Sequence, residues 1–253
     1  MTKHCLRLSA NESYQGAEEE LEALIGIKIS HSTCQRIVQR TAYEQPTAKQ
    51  KVTQISVDGG NVRVRTPKKG EGSAWLGYKS AVVEGMYYGA TFQDNGELTD
   101  WLENQPLCTL IACLGDGHEG VWNIFAKVGS VSQRLEILDW YHLKENLYKI
   151  GGSRKRLKQA EAWLWQGEVD EAIALFAEVD LEQARRFSKY VEHHRQRIVN
   201  YAYFQAEGIP IGSGTVESSI KQIDFRMKRT GAQWKKDNIP QALSVRCAYP
   251  VSY

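Results

Sequence analysis

Long apolar runs are missing from this 253-residue sequence. No stretch approaches the ~20 consecutive apolar residues that a membrane-spanning helix needs, and the segment Met1 to Cys5 does not begin a secretory apolar region. We therefore expect a cytoplasmic protein without a membrane anchor. The hydrophobic fraction of 42% and the charged fraction of 25% are typical of globular chains, so a chain that is disordered throughout is excluded.

Cysteine is scarce, and its spacing forms no pattern. The five residues include no C-x-x-C pair, and their number is odd; they are Cys5, Cys34, Cys108, Cys113 and Cys247. A structural zinc site and a disulfide framework are therefore both disfavoured.

A strong net charge is also missing, since the formal charge at pH 7 is only +2. The distribution of charge is nevertheless uneven. Residues 144–158 and residues 221–236 each carry six basic side chains against one acid, whereas residues 168–182 carry six acids and no base. Each basic block predicts either a surface that neutralises phosphates or a solvated helix face, and the sequence leaves both interpretations open.

Residues 1–44 predict a small helical unit. Acidic and apolar residues separate onto two faces over residues 17–25, Gly26 can end that helix in a left-handed turn, and Ser30 can cap a second helix. The pair resembles a helix-turn-helix, although a plain helical hairpin also explains the pattern. The polar residues that the second helix would present to a DNA groove are Ser32, Gln35, Arg36 and Arg40.

An α/β pattern follows a polar linker at residues 45–50. The predicted strands cover residues 52–58, 61–65, 79–86 with a continuation over 87–92, 107–114 and 134–138. We predict helices over residues 97–105 and 118–128, and a wholly helical stretch over 143–206. The strand at 107–114 needs a crossover connection, which predicts that it runs parallel to the first strand.

Asp58 ends the first predicted strand, directly before Gly59 and Gly60. It could merely cap a hairpin turn, or it could bind a ligand at the sheet edge. Two further acids favour the second interpretation, because Asp116 follows a strand and Glu217 lies in the first turn of a predicted helix. Clustered carboxylates repel one another unless a cation neutralises them, and oxygen ligands favour Mg2+ or Mn2+. Two such ions support in-line phosphoryl transfer.

Four short motifs occur in order along the chain: VDGG at 57–60, LGDG at 114–117, LDWYH at 138–142 and IGSGTVES at 211–218. Together they resemble the DDE transposases of bacterial insertion sequences, in particular the ISKra-type group of the Mutator-like branch. The resemblance covers roughly residues 8–246. It implies an α/β fold with a ribonuclease H-like mixed five-stranded sheet, an all-helical insertion and a small N-terminal helical unit.

The resemblance also implies a domain division and a reaction. The N-terminal helix-turn-helix-like unit would cover residues 1–44, the catalytic domain residues 51–142 and 207–253, and the helical insertion residues 143–206. The implied activity is metal-dependent hydrolysis of DNA followed by strand transfer, carried out on transposon ends and target DNA by a homodimer. Relatives in that group extend further at both ends, so a truncated copy with an intact triad is one interpretation.

The site residues follow from the same resemblance. Asp58, Asp116 and Glu217 are the implied catalytic residues and ligands of two Mg2+ or Mn2+ ions. Asp139 and His142 match a D-x-x-H element with a site-supporting role, although they could also form an ordinary helix start, and Asp139 competes with Asp116 as second ligand. The residues expected to bind DNA are Arg36, Arg40, Lys221, Arg226, Lys228 and Arg229.

Three interpretations stay open at this point. Trp122, Trp140 and Tyr141 could stack on a flipped base or belong to the core. A ribonuclease H-like nuclease or resolvase would use the same metals but only hydrolyse DNA. A non-catalytic descendant would bind DNA without any need for metal.

Overall fold

The computed structural model describes residues 1–66, 72–212, 223–228 and 231–249. The helices are α1 Thr2–Asn11, α2 Tyr14–Ile25, α3 His31–Arg40, α4 Asn95–Glu103, α5 Glu119–Phe125, α6 Trp140–Tyr148, α7 Arg154–Trp165, α8 Val169–Ala174, α9 Glu182–His193, α10 Tyr201–Ala206 and α11 Ile239–Ala248. The strands are β1 Val52–Val64, β2 Ala74–Val83, β3 Tyr87–Phe92, β4 Leu107–Gly115 and β5 Arg134–Leu138.

The five strands form one mixed sheet in the order β3-β2-β1-β4-β5. β1 runs parallel to β4 and β4 runs parallel to β5, whereas β2 and β3 are antiparallel. The predicted α/β class and the predicted parallel crossover strand are therefore confirmed. This arrangement agrees with a ribonuclease H-like fold.

The predicted turn at Gly59 and Gly60 is wrong, because β1 continues through both glycines. Neither glycine has a positive φ. A Cβ on Gly60 would lie 2.7 Å from the ring of Tyr78 on the neighbouring strand. The glycines therefore let β2 approach closely, instead of reversing the chain. The predicted strand at residues 61–65 is the second half of β1, and residues 87–92 form a separate strand.

The structure divides into two compact units, of which the first comprises residues 1–51, 58–106 and 215–253. Its largest described core cluster joins side chains of the second half of β1 to those of α11, with Val62 and Tyr78 packed in the same cluster as Trp234 and Leu243. A second cluster contains Val245 of α11 together with residues of α1 and α3. The N-terminal helices therefore share a hydrophobic core with the C-terminal helix.

Two capping signals in the N-terminal helices, Gly26 and Ser30, act as predicted, and the structure adds a third at Ser13. The Ser13 side chain caps α2 by accepting a hydrogen bond from the backbone of Gly16, and Gly26 ends the helix at a φ of 67°. The Ser30 side chain caps α3 by accepting from Thr33 N. The sequence interpretation missed α1, which packs against both of these helices.

The second unit comprises residues 52–57 and 107–214. The prediction that β4 is a buried apolar strand holds at its carboxyl end, where residues 111–115 are all buried. Residues 143–206 are predominantly helical, as predicted, and they include α7 to α10. An aromatic cluster of Trp140, Trp165 and Tyr201 holds α6, α7 and α10 together.

Across the described parts of the chain, we find no helix with the length and apolar character required to cross a bilayer.

Candidate functional site

The three parallel strands β1, β4 and β5 are in register at one level of the sheet. Val57 of β1 lies opposite Gly115 of β4, and Gly115 lies opposite Leu138 of β5. The residues that directly follow this row along the chain are Asp58, Asp116 and Asp139. Each of these three positions is thus directly followed by an aspartate, although Asp58 lies inside β1, which continues to Val64, and not at the strand end predicted for it. The sequence interpretation anticipated this relation for Asp58 and Asp116, but it did not anticipate the register of β5.

Asp116 is oriented by the backbone that follows it. Its Oδ1 accepts a hydrogen bond of 2.9 Å from the backbone N–H of His118. Within the parts of the chain that the structure describes, Oδ2 has no hydrogen-bond partner, and the residue is only partly buried. His118 caps α5 by accepting a bond from Gly120 N, so its expected role as a helix-start residue is confirmed. The carboxylate of Asp116 therefore has a defined direction and one open oxygen.

Glycine is required on both sides of Asp116. A Cβ on Gly115 would lie 2.8 Å from Val121 Cγ1 and 2.9 Å from Trp122 Cη2, which is closer than real contacts allow. Gly117 has a φ of +91°, a region that side chains with a Cβ rarely adopt. A larger residue at either position would displace the loop that carries the carboxylate.

The helical region after α6 contacts this loop through the end of α9. The hydroxyl of Tyr190 donates to the backbone carbonyl of Asp116 at 3.4 Å, and burial raises the pKa of the Tyr190 hydroxyl. His194 is only 2% exposed and makes a hydrogen bond with the backbone of Gly117. The sequence interpretation missed both residues, although their spacing of four places them on one face of the helical turn. Both support the position of the loop rather than the chemistry.

The buried imidazole of His194 predicts a loss of stability in mild acid. Burial, reinforced by the charges of His193 and Arg197, lowers the pKa of His194 from its ordinary value of 6.5 to about 4. The unfolded chain takes up this proton near pH 6.5 and the folded chain does not. The free energy of unfolding should therefore fall as the pH drops from about 6.5 towards 4. Urea unfolding followed by tryptophan fluorescence at pH 7, 5.5 and 4.5 measures this.

The variant His194→Asn should show a weaker dependence of stability on pH across that window. The matched control is His4→Asn, because His4 is exposed on α1 and should leave the dependence unchanged. An unchanged slope in the His194 variant would contradict the assignment.

Asp139 is the N-cap of α6. It is 1% exposed, and its Oδ1 accepts bonds from the backbone of Tyr141 at 2.8 Å and of His142 at 3.0 Å. The Nδ1 of His142 lies 3.4 Å from the same oxygen. This is the helix-start arrangement that the sequence left open, and it favours a positioning role for both residues. Their effect on a reaction stays a prediction.

The chain segment before residue 213 lies beside Asp139. The backbone N–H of Trp140 donates to the carbonyl of Ile211 at 3.0 Å. A Cβ on Gly212 would lie 2.7 Å from the ring of Tyr141 and 3.5 Å from Asp139 Oδ2. Glycine at position 212 therefore allows this close approach. The segment that leads towards Glu217 passes the end of β5.

The aromatic residues near these acids differ in burial. Trp122 is 3% exposed and Trp140 is 6% exposed, which confirms the core interpretation for both. Tyr141 is 52% exposed and remains accessible to a ligand.

The predicted DNA-binding residues fall into three groups. Arg36 and Arg40 are exposed on α3, and Lys228 is exposed with its ammonium 2.7 Å from Asp224 Oδ2. Lys221 and Arg229 lie outside the described residues, as does Glu217. These positions stay predictions.

The prediction that Arg226 binds DNA is wrong, because the structure buries this residue, which is only 5% exposed. Its Nε donates to the backbone carbonyl of Ser9 at 2.9 Å. The guanidinium carbon lies 5.0 Å from the ring centroid of Tyr14 and 4.8 Å from that of Trp234. A side chain held in this way joins α1, α2 and the segment before α11. It cannot also follow a DNA backbone.

The predicted site residues offer carboxylate oxygens, which suit a hard divalent cation. Carboxylate oxygens are the ligands that Mg2+ and Mn2+ prefer, and Asp116 offers an open oxygen. The described part of the chain nevertheless brings no three His, Cys, Asp or Glu side chains close enough to hold a metal ion. The expected third ligand, Glu217, lies outside that part, so the metal site stays a prediction.

Comparison with known proteins gives one distant similarity. No family model matches the sequence. The chain is 26% identical over 267 residues to a protein of Streptococcus gallolyticus named "UPF0236 protein in vanSb 3'region", and the match covers 90% of this chain and 58% of the relative. The chain therefore spans little more than half the length of that protein, whose name records a genomic position and no activity. It is a remote relative at this level of identity.

Proposed function

We propose that this chain is the transposase of a bacterial insertion sequence. It hydrolyses the phosphodiester at the ends of the mobile element and joins the freed 3′-hydroxyl to target DNA. The observation that carries the proposal is the row of Val57, Gly115 and Leu138 on three neighbouring parallel strands, each directly followed by an aspartate. Carboxylates that follow paired positions of neighbouring parallel strands can share a ligand.

The proposed site consists of Asp58, Asp116 and Glu217. Two divalent ions, when bound there, would activate the attacking hydroxyl and neutralise charge on the leaving oxygen. Asp116 directs its open oxygen by accepting from His118 N. Asp139 begins α6 and keeps His142 beside it, so that imidazole can orient a phosphate by hydrogen bonding.

The proposed partner is DNA, and the proposed assembly is a homodimer that pairs two element ends. Arg36 and Arg40 are exposed cations available for phosphates. Lys228, which is exposed and paired with Asp224, and the residues Lys221 and Arg229 complete the proposed set.

The test is an assay of the full chain with Mg2+ and labelled duplex DNA that carries an element end. We expect nicking at the end and, with pre-cleaved ends, joined products on target DNA. Addition of EDTA or the variant Asp58→Ala should abolish both activities, because the site loses its cation or a ligand. Asp58→Ala that nicks like the wild type would overturn the catalytic assignment.

The same assay separates the rival functions. Nicking without any joined product would identify a nuclease or resolvase. DNA binding that is indifferent to Mg2+, with neither nicking nor joining, would identify a non-catalytic DNA-binding protein.

A further inference from the structure

A basic groove crosses the first compact unit. It is a cavity of about 900 Å3, lined by the start of α2, by Gln35 of α3, by Arg65 at the end of β1 and by residues 231–235 and 238. Its volume lies at the upper end of the ~300–1,000 Å3 that ligand clefts in proteins span. All of these elements belong to the same unit.

Two cations are fixed side by side at this groove by the backbone. Val64 and Trp234 form a parallel bridge, in which Trp234 N donates to Arg63 O and Arg65 N donates to Trp234 O. The next residues along the two segments are Arg65 and Lys235, and both are exposed. Like charges at neighbouring positions repel each other unless an anion lies between them.

Neither cation is neutralised within the described residues. No ion pair or side-chain hydrogen bond involves Arg65 or Lys235 there. The described lining of the groove contains no carboxylate, since its other polar side chains are Ser13, Tyr14, Gln15, Gln35, Gln233, Trp234, Asn238 and the buried Arg226. The groove therefore has positive charge without an internal counter-ion.

The floor of the groove is a packed part of the core. Trp234 is 7% exposed, and its indole N–H donates to Met227 O at 2.9 Å. Arg226 packs between the rings of Trp234 and Tyr14. The two exposed cations are thus attached to an ordered core, which reduces the entropy lost when they bind a ligand.

We propose that this groove binds the sugar-phosphate backbone of DNA, with Arg65 and Lys235 on neighbouring phosphates. A polyanionic strand is favoured over a small anion because the groove continues to Gln35 on α3, the helix that also exposes Arg36 and Arg40. The proposal rests on the proposed function for its partner, and it adds a binding surface built by the end of β1 and the segment before α11.

The test is DNA binding by the full chain in EDTA, so that catalysis does not enter the measurement. Fluorescence polarisation with a labelled duplex, repeated from 50 to 300 mM salt, gives the affinity and its salt dependence. We expect the double variant Arg65→Gln with Lys235→Gln to bind at least about tenfold more weakly at 150 mM salt. The magnitude of its slope of log affinity against log salt concentration should be lower by about 1.8, which is about 0.9 for each lost phosphate contact.

The matched control is the double variant Lys3→Gln with Lys49→Gln, which removes two exposed cations of the same unit outside the groove. Circular dichroism checks that each variant is folded. Equal affinity and slope for wild type and groove variant would overturn the groove proposal, as would an equal loss in the control. In those cases Mg2+-dependent nicking by the wild type would still support the proposed function. A wild type that binds no DNA at 50 mM salt would overturn both.

Discussion

Asp116→Asn is expected to reduce Mg2+-dependent nicking about 10³-fold or more, equivalent to about 4 kcal/mol of transition-state stabilisation. The asparagine keeps an oxygen that can accept from His118 N, so the loop should retain its shape. It loses the negative charge that a divalent cation needs. Single-turnover nicking rates at saturating Mg2+, together with the thermal midpoint of each variant, measure the effect separately from folding.

Asp139→Asn serves as the comparison, because Asp116 and Asp139 are the two candidates for the second metal ligand. Asparagine can still cap α6 through the bonds to Tyr141 N and His142 N. If Asp139 only positions α6, the nicking rate should fall by less than about tenfold. Asp100→Asn is the control on an exposed acid of α4 and should behave like the wild type. If the nicking rate falls 10³-fold in Asp139→Asn and only slightly in Asp116→Asn, then Asp139 is the second metal ligand and Asp116 has the positioning role.

Arg226→Ala is expected to lower the free energy of unfolding by about 3 kcal/mol. The substitution leaves the carbonyl of Ser9 without its donor, which costs about 1–3 kcal/mol for a buried group. It also removes the guanidinium from between the rings of Tyr14 and Trp234, and with it the packing of the alkyl chain. Urea unfolding at pH 7 gives the difference directly.

Lys228→Ala is the matched control, since it removes an exposed cation whose ion pair with Asp224 lies at the surface. Surface pairs contribute about 0–1 kcal/mol, so this variant should unfold nearly like the wild type. An Arg226 variant that keeps its stability but loses DNA affinity would restore the original interpretation of Arg226 as a DNA contact.

Many elements could be predicted because their signals are local. Gly26 and Ser30 mark helix ends within one turn of where the structure has them. The apolar run before Asp116 predicted a buried strand, and β4 ends at Gly115. Asp58 and Asp116 were therefore identifiable as candidate site residues before the sheet was known.

Other features depended on partners that are distant in sequence. Two adjacent glycines after Asp58 indicate a turn in isolation, but the ring of Tyr78 makes them a close contact between strands. Arg226 belongs to a basic stretch, yet its guanidinium is buried against α1 and α2. The contact of Tyr190 with the Asp116 loop spans 74 residues of sequence. None of these contacts has a local signature.

The sequence by itself determined most of the strands and helices, and it determined that Asp116 follows a buried strand, because capping, periodicity and glycine content act over a few residues. Only the tertiary structure decided that Val57, Gly115 and Leu138 lie in one row, that Arg226 stabilises the core, and that Arg65 and Lys235 are neighbours. Strand register and burial depend on packing between segments far apart in the chain, and that packing is settled when the whole core forms.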